Sequence, residues 1–244
     1  NNYTLSANEK DFQGGSGLYI RGNNTTLVTI TNSIFSNNIN GSNQGGGAIF
    51  IADGAQLTVS NSCFNNNESS QTSSTNYGGA ISVGRGSTIT VNDCSFNNNI
   101  ATSSGNGGAI GVYTSFGSTG STATANISNC SFTNNVAANG SDILSKVSSS
   151  RPAIINVSEC TFSGTSQDIT VESGGTINVS NSGNPSRSAG VTMTNTIAAS
   201  LTPSTSCPSV IDPCFSVLPV EFIDFTADCK NNKTLFEWST ATEL

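Results

Sequence analysis

The sequence contains no histidine at all. Its absence removes the commonest general base, the commonest metal ligand and the one side chain that ordinarily titrates near neutrality. Charge is scarce as well. Only 9% of residues are charged, and eight basic against fifteen acidic residues leave a net charge of −7. The cations, such as Arg21, Arg85, Lys146 and Arg187, are scattered along the chain. Phosphate binding needs clustered Lys and Arg, so nucleic acid is excluded as a partner. No run of about 18 apolar residues occurs, so no membrane-spanning helix is expected. The opening Asn1-Asn2-Tyr3-Thr4 shows no basic stretch leading into an apolar one. Any signal peptide is therefore expected to have been removed or to lie outside this chain.

What is present is Gly, Ser, Thr and Asn, with hydrophobic residues at 34%. That fraction is low for a compact globule, yet its regularity is wrong for a disordered chain. A stack of similar coils reconciles the two, because each coil needs only a few inward apolar residues and neighbours cover one another's backbone.

A repeat bears this out in the sequence itself. Gly-Gly recurs at Gly14-Gly15, Gly46-Gly47, Gly78-Gly79 and Gly107-Gly108, in steps of 32, 32 and 29 residues. Three copies open the same run: Gly47-Ala48-Ile49-Phe50-Ile51, Gly79-Ala80-Ile81-Ser82-Val83 and Gly108-Ala109-Ile110-Gly111-Val112. Further on, Phe35, Phe64, Phe96, Phe132 and Phe162 each trail an alternating segment such as Leu57-Thr58-Val59 or Ile89-Thr90-Val91. Period-two alternation bounded by Gly, Asn and Ser reads as half-buried strands. Inserts such as Ser69 to Thr75, Thr102 to Asn106 and Ser115 to Thr124 lengthen the unit without disturbing strand spacing, as loops on a solenoid do. The expected fold is all-β, a right-handed parallel β-helix. After Phe162 the pattern weakens through Ile169-Thr170-Val171, Ile177-Asn178-Val179 and Val191-Thr192-Met193.

Stacking such units predicts internal columns. Phe64, Phe96, Phe132 and Phe162 fall in one. Asn67, Asn99 and Asn135, the second members of Asn pairs that suit a left-handed bend, fall in another as a ladder. Cys94, Cys130 and Cys160, each two residues before a Phe, form a third, with Cys63 displaced to the position beside Phe64. Buried Cys acts as a small hydrophobe. Coils about 4.8 Å apart also permit an oxidised pair within that column. Seven Cys in a Ser/Thr/Asn-rich chain fit an extracellular product better than a cytosolic one.

Units of the form Gly-Gly-Ala-Ile followed by Cys-x-Phe-x-Asn-Asn resemble the polymorphic outer-membrane-protein repeats of bacterial surface proteins, over roughly residues 14–165. The resemblance implies a parallel β-helix and leaves function open, because such repeats serve adhesins, secreted passengers and other surface proteins.

From Leu201 the composition changes, with Pro203, Cys207, Pro208, Pro213 and Cys214 marking a linker. Cys207 and Cys214 can close a loop, or either can pair with Cys229. Two alternating runs follow, Val220 to Ala227 and Thr234 to Ser239, around Lys230-Asn231-Asn232-Lys233, and these predict a hairpin. Leu218-Pro219-Val220-Glu221 and Trp238-Ser239-Thr240-Ala241-Thr242-Glu243 are similar to the opening of a fibronectin-III-like module of surface proteins exported by the type IX system of Bacteroidota. A lone hairpin is marginal in water, so Phe222, Phe225, Phe236 and Trp238 must pack on something: their own solenoid, a neighbouring subunit, or the missing remainder of a cut module. The expected organisation is a β-helix over 1–200, a linker over 201–217 and a hairpin extension over 218–244.

The main rival is a polysaccharide lyase or hydrolase, since pectin-degrading enzymes share the architecture. Their chemistry needs converging carboxylates, whereas Asp53, Asp93, Asp142, Glu159 and Asp168 do not cluster in sequence and most read as turn residues. Gly14-Gly15-Ser16-Gly17 lacks the Asp of a calcium-binding repeat. No catalytic residue, cofactor or metal is expected. Tyr19, Tyr77 and Tyr113 are candidates for carbohydrate contact, though Tyr beside Gly usually packs, and the Ser/Thr-rich inserts can carry glycans. The reading is an extracellular, cell-surface structural protein that assembles head to tail with itself. A monomeric glycan-binding adhesin stalk is the alternative.

Overall fold

A computed structural model describes residues 3–4, 16–22, 25–41, 45–70, 77–84, 86–102, 105–114, 122–147, 152–163, 167–172, 174–183, 185–194, 222–230 and 233–240. The chain forms two compact units, Asn1–Cys207 and Pro208–Leu244. The anchor Gly14-Gly15 and the cysteines Cys207 and Cys214 lie outside the described residues.

The first unit is a parallel β-solenoid without helices among its described residues. Four parallel sheets form its walls, and within each the neighbouring strands come from successive coils. The six-stranded sheet holds Leu18–Arg21, Ile49–Ala52, Ile81–Gly84, Ile110–Thr114, Ile143–Val147 and Ile169–Glu172. The seven-stranded sheet holds Leu27–Thr31, Gln56–Ser60, Thr88–Asn92, Ala123–Ser128, Ala153–Ser158, Thr176–Ser180 and Val191–Thr194. Five short strands carry the phenylalanines: Ile34–Ser36, Cys63–Asn65, Ser95–Asn97, Ser131–Thr133 and Thr161–Phe162. The fourth sheet is built from two-residue strands, Tyr3–Thr4, Ile39–Asn40, Glu68–Ser69 and Ile100–Ala101.

Register follows the repeat. Ile81 lies between Ile49 and Ile110, Val91 between Val59 and Ile127, and Phe96 between Phe64 and Phe132. Because strand side chains alternate, Ile49 and Ile51, Leu57 and Val59, and Ile89 and Val91 all turn into one continuous core.

The Gly-Gly-Ala segments are corners, and the strands begin at the Ile that follows them. The two glycines do different work. Gly78 and Gly107 adopt φ values of 71° and 72°, a region costly for residues with a Cβ. At Gly79 and Gly108 the next coil is too close: a Cβ there would lie 2.0 Å from the Gly108 oxygen and 2.1 Å from the Ser141 oxygen. A second set of corners uses Asn and its relatives in the left-handed region. Asn32, Asn61, Asp93, Asn129, Glu159 and Asn181 have φ between 45° and 55°, as do Asn37, Asn66, Asn98 and Asn134.

The second unit shows an antiparallel hairpin, Phe222–Lys230 with Lys233–Thr240, in which Lys230 pairs with Lys233 and Phe225 stands opposite Trp238. The register shifts between Phe222 and Asp224. Cys229 and Phe236 occupy register positions opposite Thr234 and Ala227.

Candidate functional site

The residues singled out in the sequence meet in three columns parallel to the solenoid axis. The widest is aromatic. Phe35, Phe64, Phe96, Phe132 and Phe162 stack face to face with centroid separations of 5.0, 4.8, 5.0 and 5.1 Å and interplanar angles of 7° or less. The spacing is that of neighbouring strands, about 4.8 Å, so the backbone dictates the stack. Phe64, Phe96 and Phe132 are fully buried.

The second column is the Asn ladder, which begins at Asn38, the second member of the Asn pair that follows Phe35. Side-chain amides donate down the stack: Asn38 to Asn67 at 2.8 Å, Asn67 to Asn99 at 2.9 Å and Asn99 to Asn135 at 2.9 Å. Each acceptor oxygen also takes the main-chain N–H of the residue above, and the second amide hydrogens of Asn67, Asn99 and Asn135 go to the carbonyls of Phe35, Phe64 and Phe96. A buried amide is tolerated when both donors and its acceptor are used, and these are. The ladder therefore holds together the corners that follow Phe35, Phe64, Phe96 and Phe132.

The third column contains Cys94, Cys130 and Cys160, all free and fully buried. Each thiol donates to the carbonyl two residues earlier, at 3.1, 3.1 and 3.2 Å. Ser33, Ser62 and Ser182 make the same bond, to Thr31, Ser60 and Ser180. The column is thus Ser-Ser-Cys-Cys-Cys-Ser, and Ser62 and Ser182 are as buried as the three cysteines. Its serine members lack the Cys signature that marked the column in the sequence. Contact with the Cys130 thiol, followed by burial, pushes the Cys94 thiol well above its ordinary range; burial does the same to Cys130. Cys63, one place off the column, is disulfide-bonded, and its sulfur accepts from Ser95 Oγ at 3.6 Å.

The carboxylates divide into two groups. Asp53, at a left-handed corner, pairs with Arg21 at 2.5 Å. Asp93, at another, accepts from Asn129, and Glu159 occupies a third. Asp142 and Asp168 are different: they are 1% and 3% exposed and lie inside the solenoid, where a reading of Asp as a turn residue does not place them. They occupy the position held by Ala48, Ala80 and Ala109 in earlier coils, as the pairing of Ile143 with Ile110 and Ile169 requires. Among the described residues no group of three or more Cys, Asp or Glu converges as a metal site would need.

Tyr77 and Tyr113 do not present their rings to solvent. They stack at 4.3 Å, are 4% and 3% exposed, and form a second apolar cluster with Phe50, Ala52 and Leu144. Tyr19 is 36% exposed and stacks on Phe50 at 5.3 Å. Among the described residues no helix is long and apolar enough to cross a membrane. No family model matches the chain, and neither a curated protein nor a solved structure shows significant similarity to it. Its class is accordingly the one its own geometry defines, a parallel β-solenoid held by internal Phe, Asn and Ser/Cys ladders.

Proposed function

We propose that the chain is a non-enzymatic structural subunit of a bacterial extracellular surface, stacking head to tail into a filament. The observation that carries this reading is the state of the core at its two ends. Leu18, Val28, Ile30 and Phe35, on the first strands of their sheets, are only partly buried, and so are Phe162, Val171, Val191 and Met193 on the last. Their counterparts Ile49, Leu57, Val59 and Phe64 are at most 1% exposed. Among the described residues the core is thus half-covered at the outermost strands of its sheets. A second copy covers one end with the other, and a heterologous contact of this kind propagates without closing.

The finer expectations belong with this reading: repeats of the polymorphic outer-membrane-protein type, type IX export, and a fibronectin-III-like hairpin that docks on the next subunit. Electron microscopy of the purified chain, with sedimentation across a concentration series, tests the proposal. Fibres of uniform width that lengthen with concentration support it. A strictly monomeric species at the highest concentration overturns it. The exposed Tyr19 ring favours a second reading, a glycan-binding stalk, which a glycan array on the monomer separates from the first.

A further inference from the structure

The Asn ladder has to end, and its end is unusual. Asn135 donates its side-chain amide to Asp142 Oδ1 at 2.8 Å, the position where a further Asn oxygen would stand. Directly below, Asp168 Oδ2 accepts the main-chain N–H of Ser186 at 2.8 Å. This leaves Asp142 Oδ2 and Asp168 Oδ1, both buried and both without a conventional donor. The two residues are locked in adjacent coils, since the Asp142 and Ile143 amides both donate to the Asp168 carbonyl, at 3.0 and 2.9 Å, and each carboxyl group acts on the titration of the other. A carboxyl–carboxyl hydrogen bond requires a proton, for two ionised carboxylates have no donor between them.

We propose that Asp142 and Asp168 share one proton through these two oxygens, and that losing it unlatches the C-terminal coils of the solenoid. The residues below the pair hang on it: Ser186 binds the Asp168 carboxylate and its carbonyl accepts the Ile169 amide at 3.0 Å. The ion pairs among the described residues are Arg21 with Asp53 and Lys146 with Glu172, and neither includes Asp142 or Asp168. Seven residues earlier in the chain than Asp142 stands the neutral Asn135. On the outer side of the neighbouring strands, Lys146 and Glu172 pair with each other at 2.9 Å. From the segment below, Arg187 directs its guanidinium to the Pro185 carbonyl at 3.5 Å.

Burial is the main cause that lifts Asp142 from its ordinary value to about 7, with Asp168 adding to it, and burial lifts Asp168 as well. A folded-state value raised above the unfolded one means that the native form holds a proton the unfolded chain has released. Stability is then full below about pH 4 and is lost as pH rises toward about 7. The chain has no histidine to titrate in that window.

Asp142→Asn is a fitting probe, because an amide can accept from Asn135 and donate to Asp168 without any proton to lose. Asp168→Asn does the same with the roles exchanged. The test follows amide exchange at Asp142, Ile143 and Ser186 from about pH 5 to 8.5, together with the infrared band of a protonated carboxyl group. Relative to Asp142→Asn at each pH, wild-type opening is expected to increase on the order of 10²-fold or more across the range. The wild-type band is expected to persist above pH 5 and to vanish in either variant. Equal exchange ratios at all pH values, or a wild-type band that titrates below pH 5, overturn the proposal; the band requires no variant to fold.

Discussion

The Asn99 side chain sits between Asn67 and Asn135 so that its oxygen takes two N–H groups of Asn67 and its amide donates to Asn135 at 2.9 Å. One small side chain therefore satisfies buried groups on the coils either side of it. The corners after Phe35, Phe64, Phe96 and Phe132 depend on this repeating arrangement, and its consequences can be measured.

Asn99→Ala strands the Asn67 main-chain N–H and one Asn67 side-chain N–H inside the solenoid. Each orphaned group costs about 1–3 kcal/mol, so a loss of roughly 3 kcal/mol is expected in urea unfolding. Asn99→Asp keeps the acceptor but loses both donors and buries a charge, and is expected to cost more. Its penalty is smallest below the unfolded carboxyl value near pH ~4 and grows as pH rises. Equal stability of the two variants at neutral pH contradicts the ladder's role.

Cys94, Cys130 and Cys160 are expected to resist thiol reagents in the folded protein and to react only on unfolding. Their burial and, for Cys94 and Cys130, raised thiol values leave too little thiolate for attack. Cys130→Ser reproduces the bond already made by Ser62 and Ser182, and a cost within about 1–2 kcal/mol is expected, from burying the hydroxyl. Mass spectrometry after timed alkylation, with melting curves, checks both statements. Fast native labelling at any of the three positions refutes the first.

Gly79→Ala places a methyl group 2.0 Å from the Gly108 oxygen and 2.6 Å from the Ile100 nitrogen. The coils must separate at that corner, and a loss of about 2–4 kcal/mol is expected. Gly174 offers the contrast. Its φ is +82°, but a methyl group added there would have no atom within 4 Å, so Gly174→Ala is expected to cost only about 1–2 kcal/mol of backbone strain. Chemical denaturation of the pair separates crowding from conformation; a Gly174 variant as damaged as the Gly79 variant refutes the crowding argument.

Much of the solenoid is legible because its determinants are local and repeated. Ile49, Ile81 and Ile110, or Phe64, Phe96 and Phe132, announce their shared wall by spacing alone, and a strand's alternation says which side chains face in. The four-stranded sheet escapes such reading, because Ile39–Asn40 and Glu68–Ser69 are too short to show any period. The Ser33, Ser62 and Ser182 rungs escape it too, since Ser is abundant and only the shared corner gives these three a role. Asp142 and Asp168 look like turn residues in a chain full of turns. Their burial follows from the coil register that puts them in the alanine column.

The amino-acid sequence by itself determined the coil, its period and the chemistry of each rung, because steric and hydrogen-bonding demands of a parallel strand and its corners act over a few residues. Tertiary structure alone decided what the rungs do to one another. Contacts between Asn99 and Asn135, or Asp142 and Asp168, span 36 and 26 residues of chain, and exist only once stacking brings separated corners within hydrogen-bond reach and excludes water from between them.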